Sequence, residues 1–285
     1  MKRFIFILFL LVFVKPLFPA FEDLKTGTRP AALGGAFTAL SDDHNASFWN
    51  PSGLSYLESP EVYSTYKRLF GIINNFTFTT CLPSKWGNFA LTLRESSVKG
   101  DYTDATGTII RRNTTLEAER ALILSHGFHL IKEVSFGYNL VAYHLQNVRF
   151  GDYYAFGVDI GMLMEVYKRW KMGFFYHNIN SPTIGKTFKH QLPEEVCLGL
   201  SYTPFESVTT LLDFEKQFGY DINIKMGVEV SVIKEFLVIR GGVETEPVDF
   251  SVGFGTGFKH VRINYAFKTH TELPITHLVE AGWEF

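Results

Sequence analysis

The last ten residues constrain the fold most, because they form an amphipathic strand that ends on an aromatic side chain. In residues 276–285 the two faces alternate without interruption, which is the side-chain period of a β-strand. One face carries His277, Val279, Ala281, Trp283 and Phe285, and the other carries Thr276, Leu278, Glu280, Gly282 and Glu284. Such an ending is typical of outer-membrane β-barrels, in which the final strand closes the sheet and aromatics lie at the lipid boundary. A half-buried strand of a soluble sandwich is the alternative that this segment alone leaves open.

The same alternation recurs along the chain. In residues 153–165, 221–232 and 248–258, large apolar side chains alternate with small or polar ones. Periodicity cannot say which face points outward. A soluble barrel would show charge outside, and a membrane barrel places its apolar face against lipid. The polar face here is rich in glycine, which suits a crowded lumen better than a soluble exterior, so we expect the apolar face to meet lipid.

From residue 61 onward we predict an all-β fold, a single transmembrane antiparallel β-barrel of about fourteen strands. The longer predicted connections are 98–116, 147–152, 179–193, 217–220 and 269–274, and they alternate with tight turns near 129–131, 167, 204–205, 233 and 258. Short turns on one side and longer loops on the other are typical of outer-membrane barrels, as is an even strand number. The predicted strands are 61–68, 71–81, 87–97, 117–128, 132–146, 153–166, 168–178, 194–203, 206–216, 221–232, 234–244, 247–257, 259–268 and 275–285.

The N-terminus predicts export. Met1, Lys2 and Arg3 precede an apolar run from Phe4 to Val14, which is too short to span a bilayer as a helix and fits a signal peptide, residues 1–20. Past residue 20 no apolar run approaches the length of a membrane helix. We therefore expect a location in the outer membrane of a Gram-negative-type bacterium, with the lipid bilayer and the barrel assembly machinery as partners.

Composition excludes other classes of function. The formal net charge of −2 argues against nucleic-acid binding, which requires a basic surface. Two cysteines, Cys81 and Cys197, exclude a disulfide-stapled scaffold and leave one bridge or two free thiols open. No nucleophile elbow, metalloprotease helix or paired-cysteine motif is present, so we expect no enzyme activity, no cofactor and no metal.

Residues 21–60 differ in kind from the strands that follow. They are rich in small residues and contain the sequence Asn50-Pro51-Ser52-Gly53, which suits a tight turn. One interpretation is a helix-turn packed on the outside of a soluble domain, and the other is a compact plug, or hatch, inside a barrel of residues 61–285. The candidate plug residues are Gly34, Gly35, Phe37, Asp42, Asp43, Asn50, Pro51 and Gly53.

This segment resembles the N-terminal hatch of the FadL/PorV superfamily of outer-membrane proteins. The resemblance runs from Gly27 through Gly34-Gly35-Ala36-Phe37 to Trp49-Asn50-Pro51-Ser52-Gly53-Leu54. The segments 237–243, 250–255 and 261–267 are similar to barrel strands of the PorV/PorQ branch. The family implies a fourteen-stranded barrel with a hatch. This chain is shorter than the fatty-acid transporters of the family, which puts their extracellular capture site in doubt.

Two functions follow from the resemblance. The first is passive transport of a hydrophobic, fatty-acid-like molecule that leaves the lumen sideways into the bilayer. The alternative is a component of a type IX secretion system that binds exported proteins, with loops 98–116 and 179–193 as the contact surface. Polar residues of the lumen would hold the plug, or would merely be solvated in a wet lumen. These residues are Arg94, Lys225, Glu229, Arg240, Arg262 and Lys268.

Overall fold

The computed structural model describes residues 20–21, 25–103, 106–186, 189–234 and 236–285. The predicted signal peptide lies outside these residues except for Ala20. None of the helices in the described ranges is long and apolar enough to cross a membrane.

Fourteen antiparallel strands close into a barrel, as the sequence predicts. Each strand pairs with its neighbours in chain order, and two further short strands, β8 and β9, form a separate hairpin. The strands are β1 (Glu61–Leu69), β2 (Ile73–Leu82), β3 (Asn88–Thr103), β4 (Ile109–Ile131), β5 (Val134–Asn147), β6 (Gly151–Tyr167), β7 (Trp170–His177), β8 (Thr183–Ile184), β9 (His190–Gln191), β10 (Glu195–Phe205), β11 (Val208–Gln217), β12 (Ile222–Ile233), β13 (Leu237–Thr245), β14 (Val248–Phe258), β15 (Val261–Lys268) and β16 (Thr276–Glu284).

The barrel closes between its first and last strands. β1 pairs with β16 from Glu61 opposite Glu284 to Arg68 opposite His277. Because this pairing leaves neither strand as a free edge, the predicted barrel is confirmed and the soluble sandwich is excluded. We call the end where β1 begins and β16 finishes the proximal end, and the opposite end the distal end.

The apolar face points outward. In β14, Val248, Phe250 and Phe254 are exposed, whereas Asp249 and Ser251 between them are buried. A soluble protein would bury the first set and expose the second. The exposed aromatic and aliphatic band therefore matches a surface that faces lipid, and the small and polar residues line the interior.

Several predicted loops are wrong. β3 runs to Thr103 and β4 begins at Ile109, so most of the predicted loop 98–116 is paired strand. β5 and β6 likewise shorten the loop 147–152 to three residues, and 179–193 contains the β8–β9 hairpin. The physical reason is that these strands continue distally past the apolar band. Charged residues such as Lys99, Arg111 and Arg112 interrupt the alternation there, so the period-two signal disappears although the backbone pairing continues.

Residues 25–57 lie inside the barrel and form the plug. They contain two short helices, α1 (Thr28–Ala32) and α2 (Ala46–Trp49), and a 3₁₀ helix (Pro51–Tyr56). Most of this segment is buried, including the polar Thr28, Thr38 and Asn50. A plug with so little regular structure must find partners for its backbone groups in the barrel wall.

The exposed C-terminal aromatic leads to the first prediction. Phe285 is 66% exposed, and its backbone N–H donates to Pro60 O at 3.0 Å. We predict from the sequence that Trp283 and Phe285 form the C-terminal signal for barrel assembly, so we expect Phe285→Ala to lower the amount of barrel in the outer membrane. The measurement is the heat-modifiable band of the folded barrel on a gel.

Phe258 supplies the matched control, because it is 67% exposed at the proximal end of β14 but is internal to the chain. Phe258→Ala should assemble normally. Equal assembly of the two variants would contradict the assignment of a signal at the C-terminus.

Candidate functional site

The plug lies directly against the barrel wall because the wall lacks side chains at the points of contact. At eight strand glycines, an added Cβ would come within 3.0 Å of a plug atom. At Gly242, for example, it would lie 2.1 Å from the carbonyl carbon of Leu33. The eight are Gly127, Gly137, Gly161, Gly173, Gly199, Gly227, Gly242 and Gly253.

These glycines occur in rows across neighbouring strands. Gly137 pairs with both Gly127 and Gly161, and Gly227 pairs with Gly242. Each row makes a shallow channel in the inner wall that receives plug backbone. The glycine-rich polar face of the sequence therefore corresponds to the contact surface of the plug.

Polar side chains of the wall satisfy the plug backbone. The Asp213 carboxylate of β11 accepts from the N–H groups of Phe37 and Thr38 at 2.9 and 2.8 Å. Ser251 Oγ accepts from Gly34 N at 2.9 Å, and Asn139 Nδ2 donates to Ser47 O at 2.9 Å. The wall thus replaces the hydrogen bonds that a helix or sheet would provide within the plug.

The Asn50 side chain fixes the predicted turn. Its Oδ1 accepts from Ser52 Oγ at 2.6 Å, and its Nδ2 donates to Thr38 O at 2.8 Å and to Met162 O of the wall at 3.1 Å. Pro51 follows as the first residue of the 3₁₀ helix. At Gly53 an added Cβ would lie 1.6 Å from Ser41 O, so this position has no room for a side chain.

A charged cluster links the plug to the proximal half of the wall. Arg29 pairs with Asp42 at 2.6 Å and Asp43 at 2.9 Å within the plug, and with Glu229 of β12 at 2.8 Å. Arg240 of β13 joins the same Glu229 carboxylate at 2.6 Å. Burial alone would raise the pKa of Asp43, but Arg29 and His44 outweigh it and hold that pKa below its usual value.

A second cluster lies on the distal side of the plug. Lys25 forms ion pairs with Glu195 of β10 and Glu215 of β11, and Lys225 of β12 pairs with Glu215 at 2.6 Å. Lys25 and Lys225 also lie over the Trp49 ring, at 5.0 and 5.7 Å from its centroid. Sequence reasoning did not find Lys25, Glu195 or Glu215, although the inward parity of the last two on their predicted strands could have indicated them.

The six predicted lumen residues fall into two groups. Glu229, Arg240 and Lys225 belong to the clusters that contact the plug. The other three pair with carboxylates of the wall: Arg94 with Glu119 at 4.0 Å, Arg262 with Glu284 at 2.8 Å, and Lys268 with Glu244 and Asp249. Their role in holding the plug stays a prediction.

His44 links the plug to the seam where the barrel closes. Its ring stacks on Tyr63 of β1, with centroids 3.5 Å apart, and its Nε2 lies 3.3 Å from the Glu280 carboxylate of β16. Glu280 also accepts from Thr65 of β1 at 2.8 Å. Burial disfavours a charged ring, but Glu280, Asp43 and Glu61 outweigh it and raise the pKa of His44 above its usual value.

A cavity of about 260 Å³ remains between the plug and the distal rim. Its apolar surface comes from Phe21, Trp49, Leu69, Pro193, Pro247 and Leu278. Its charged surface consists of four lysines and four glutamates, including the distal cluster. Both a small apolar group and water can therefore occupy it.

One group beside this cavity has the donor types of a metal site. The ligand atoms of Glu195, Cys197 and Glu215 lie within 4.8 Å of one another. The Lys25 ammonium is placed among them, 3.9 Å from Cys197 Sγ, and already supplies the positive charge. Cys81 and Cys197 are both free thiols, so the sequence alternative of a bridge is excluded.

The fold is similar to that of solved transport proteins. The chain aligns with the toluene transporter TodX of P. putida (TM-score 0.66, 14% identity, 92% of this chain and 99% of that chain). It also aligns with the Ralstonia pickettii toluene transporter TbuX (0.62, 13%, 92% and 99%) and with a Pseudomonas aeruginosa FadL homologue (0.62, 11%, 91% and 98%). At such identities the likeness shows the fold, which is a closed fourteen-stranded barrel. No family model matches the sequence, and no curated protein is similar to it in sequence.

Two adjacent glycines of β13 test the contact between plug and wall. Gly242 faces Leu33 and Gly34, whereas a Cβ on Gly241 would meet only Ser251 O at 3.9 Å. We expect Gly242→Ala to displace the plug at a cost of about 1–3 kcal/mol, the usual range for overpacking. In planar bilayers this variant should conduct small ions more than the wild type.

Gly241→Ala is the control for the effect on the backbone of replacing a glycine in the same strand, and it should behave like the wild type. If both variants stay as closed as the wild type, the plug does not depend on the missing side chain at Gly242.

The His44 contacts predict a pH dependence with a defined sign. Because the folded-state pKa of His44 is raised, the charged ring stabilises docking fully below about pH 6.5, and this contribution is lost as pH rises through the folded value. Each unit of raised pKa corresponds to about 1.4 kcal/mol. We expect ion conductance to increase as pH rises above neutrality, and His44→Gln to lose this dependence.

His126→Gln is the control, since His126 stacks on Phe89 on the outer face of the wall, away from the plug. This variant should keep the pH dependence of the wild type. A pH profile that is the same in His44→Gln and the wild type would rule out His44 as its origin.

Proposed function

We propose that this barrel is a passive channel that lets a small, largely apolar molecule cross the outer membrane. The observation that carries the proposal is a plugged barrel with a small, partly aromatic cavity above the plug. The predicted signal peptide and the outward-facing apolar band support a location in the outer membrane.

The size of the cavity favours a ring-sized molecule over a long chain. An engineered apolar cavity of about 150 Å³ binds benzene. The cavity here is about 260 Å³, so it holds a molecule of one or two rings beside Phe21 and Trp49. A long acyl chain would have to extend beyond it.

The charges of the cavity favour a molecule without a net charge. Lys25, Lys225 and Lys268 already form ion pairs with carboxylates of the lumen. A fatty acid would have to break one of these pairs to bind its carboxylate, which leaves a charge of the wall unpaired. The ion pairs of the cavity therefore favour an uncharged apolar molecule over the fatty-acid-like ligand that the sequence suggests.

Passage also requires the plug to move, because residues 25–57 occupy the lumen below the cavity. The proximal cluster of Arg29, Asp42, Asp43 and Glu229 is a polar attachment of the plug on that route. The similarity in fold to proteins named as toluene transporters agrees with the proposed class of solute.

The test fills the cavity from the plug side. Ala31 lines the cavity, and Ala31→Trp should occupy most of it. In bacterial cells that carry the barrel, we expect uptake of an apolar dye such as N-phenyl-1-naphthylamine to exceed that of cells without it. Ala31→Trp should reduce the excess by roughly fivefold, the effect of about 1 kcal/mol.

Ala281→Trp is the control, because Ala281 lies on the outward face of β16. It should assemble and transport as the wild type does. Uptake that is unchanged in Ala31→Trp, with entry of hydrophilic dyes also unchanged, would contradict a route through this cavity.

A further inference from the structure

Phe21, the residue that follows the predicted signal peptide, is held inside the barrel. We predict from the sequence that residues 1–20 are removed, which makes Phe21 the first residue of the mature chain. The Phe21 side chain is 1% exposed and lines the cavity on the distal side of the plug. Its ring packs edge-on against Tyr143 of β5, with ring centroids 4.8 Å apart. The lumen therefore receives the residue next to the predicted cleavage site.

The backbone nitrogen of Phe21 contacts a charged residue of the wall. Phe21 N donates to Oε1 of Glu119 on β4 at 2.8 Å. The other carboxylate oxygen, Oε2, lies 4.0 Å from Nη1 of Arg94 on β3. Arg94 is buried and the Glu119 side chain is largely so, and little water therefore screens the carboxylate. A second positive charge can be paired at Oε1 while Arg94 stays near Oε2.

The backbone conformation of Phe21 also favours a free amino terminus at this position. Its φ is 66°, in the left-handed region that a bulky side chain rarely adopts. Part of the strain in this region comes from the carbonyl oxygen of the preceding residue. A chain that begins at Phe21 has no such carbonyl, so this clash is absent once the preceding residue is removed.

Cleavage changes the chemistry of the nitrogen that faces Glu119. Hydrolysis of the Ala20–Phe21 peptide bond consumes a water molecule and leaves a carboxylate on Ala20 and an ammonium group on Phe21. The amide has one hydrogen to donate, whereas the ammonium has three and carries a positive charge. Hydrogen bonds with charged partners are about twice as strong as neutral ones. The contact with Glu119 therefore becomes an ion pair only after cleavage.

We propose that Glu119 is the docking site of the mature amino terminus, where its carboxylate pairs with the α-ammonium group of Phe21. The pair fastens the beginning of the mature chain to β4, ahead of the plug. A precursor that retains residues 1–20 has an amide at this position and cannot form the pair. The proposal rests on the predicted signal peptide and does not depend on which solute crosses the barrel.

The test measures how fast N-hydroxysuccinimide acetate acetylates the α-amino group of the purified mature barrel in detergent. The reaction is run at about pH 8, close to the ordinary pKa of an α-amino group. Mass spectrometry of the intact chain and of its N-terminal peptide first establishes whether the chain begins at Phe21, and then gives the rate. We expect the folded wild type to react roughly tenfold more slowly than the chain unfolded in denaturant, the ratio that about 1.4 kcal/mol gives.

Glu119→Gln keeps the shape of the side chain but removes its charge. Its α-amino group should react roughly fivefold faster than that of the folded wild type, the ratio that about 1 kcal/mol gives. Because Phe21 stays buried in this variant, the difference reports the ion pair rather than the burial.

Glu117→Gln is the matched control, because Glu117 lies on the same strand and accepts instead from Asn147 Nδ2 at 2.8 Å. It should react as slowly as the wild type. The heat-modifiable gel shift verifies that every variant is folded. A mature chain that begins at another residue overturns the proposal, as does a folded wild type that reacts as fast as the unfolded chain. Equal rates for Glu119→Gln and the wild type overturn Glu119 as the docking site.

Discussion

The close approach of the plug backbone to the barrel wall organises the interior of this molecule. Eight strand glycines leave this space, and polar wall side chains such as Asp213 and Asn139 then reach plug N–H and C=O groups. A plug without long helices can be buried in this way because its hydrogen bonds are made to the wall. The apolar outer band needs no such adaptation, since the lipid chains adjust to it.

The sequence predicts the barrel better than it predicts the site. Alternation in segments such as 248–258 depends only on which face meets lipid, so the strand number and sidedness follow from it. The distal parts of β3 and β4 were not predicted as strands, because charged residues such as Lys99, Arg111 and Arg112 interrupt the alternation there. The contacts of His44 with Glu280 could not be predicted, because they join residues 236 positions apart whose proximity depends on the barrel closing.

The charged residues differ between the inner and outer faces of the barrel and along its axis. Inside, lysines and carboxylates form pairs that fasten the plug and leave a cavity with equal numbers of lysines and glutamates. Outside, Glu95 and Arg120 form an ion pair on the distal part of the wall. The first arrangement favours the uncharged solute that we propose for the lumen.

The most direct test of a plug fixed inside the lumen is hydrogen–deuterium exchange of the purified barrel, read by mass spectrometry for residues 25–57. If wall side chains hold the plug backbone, amides such as those of Gly34, Phe37 and Thr38 should exchange as slowly as those of the barrel strands. If these amides exchange at the rate of an unfolded peptide while the barrel strands are protected, the wall does not hold the plug.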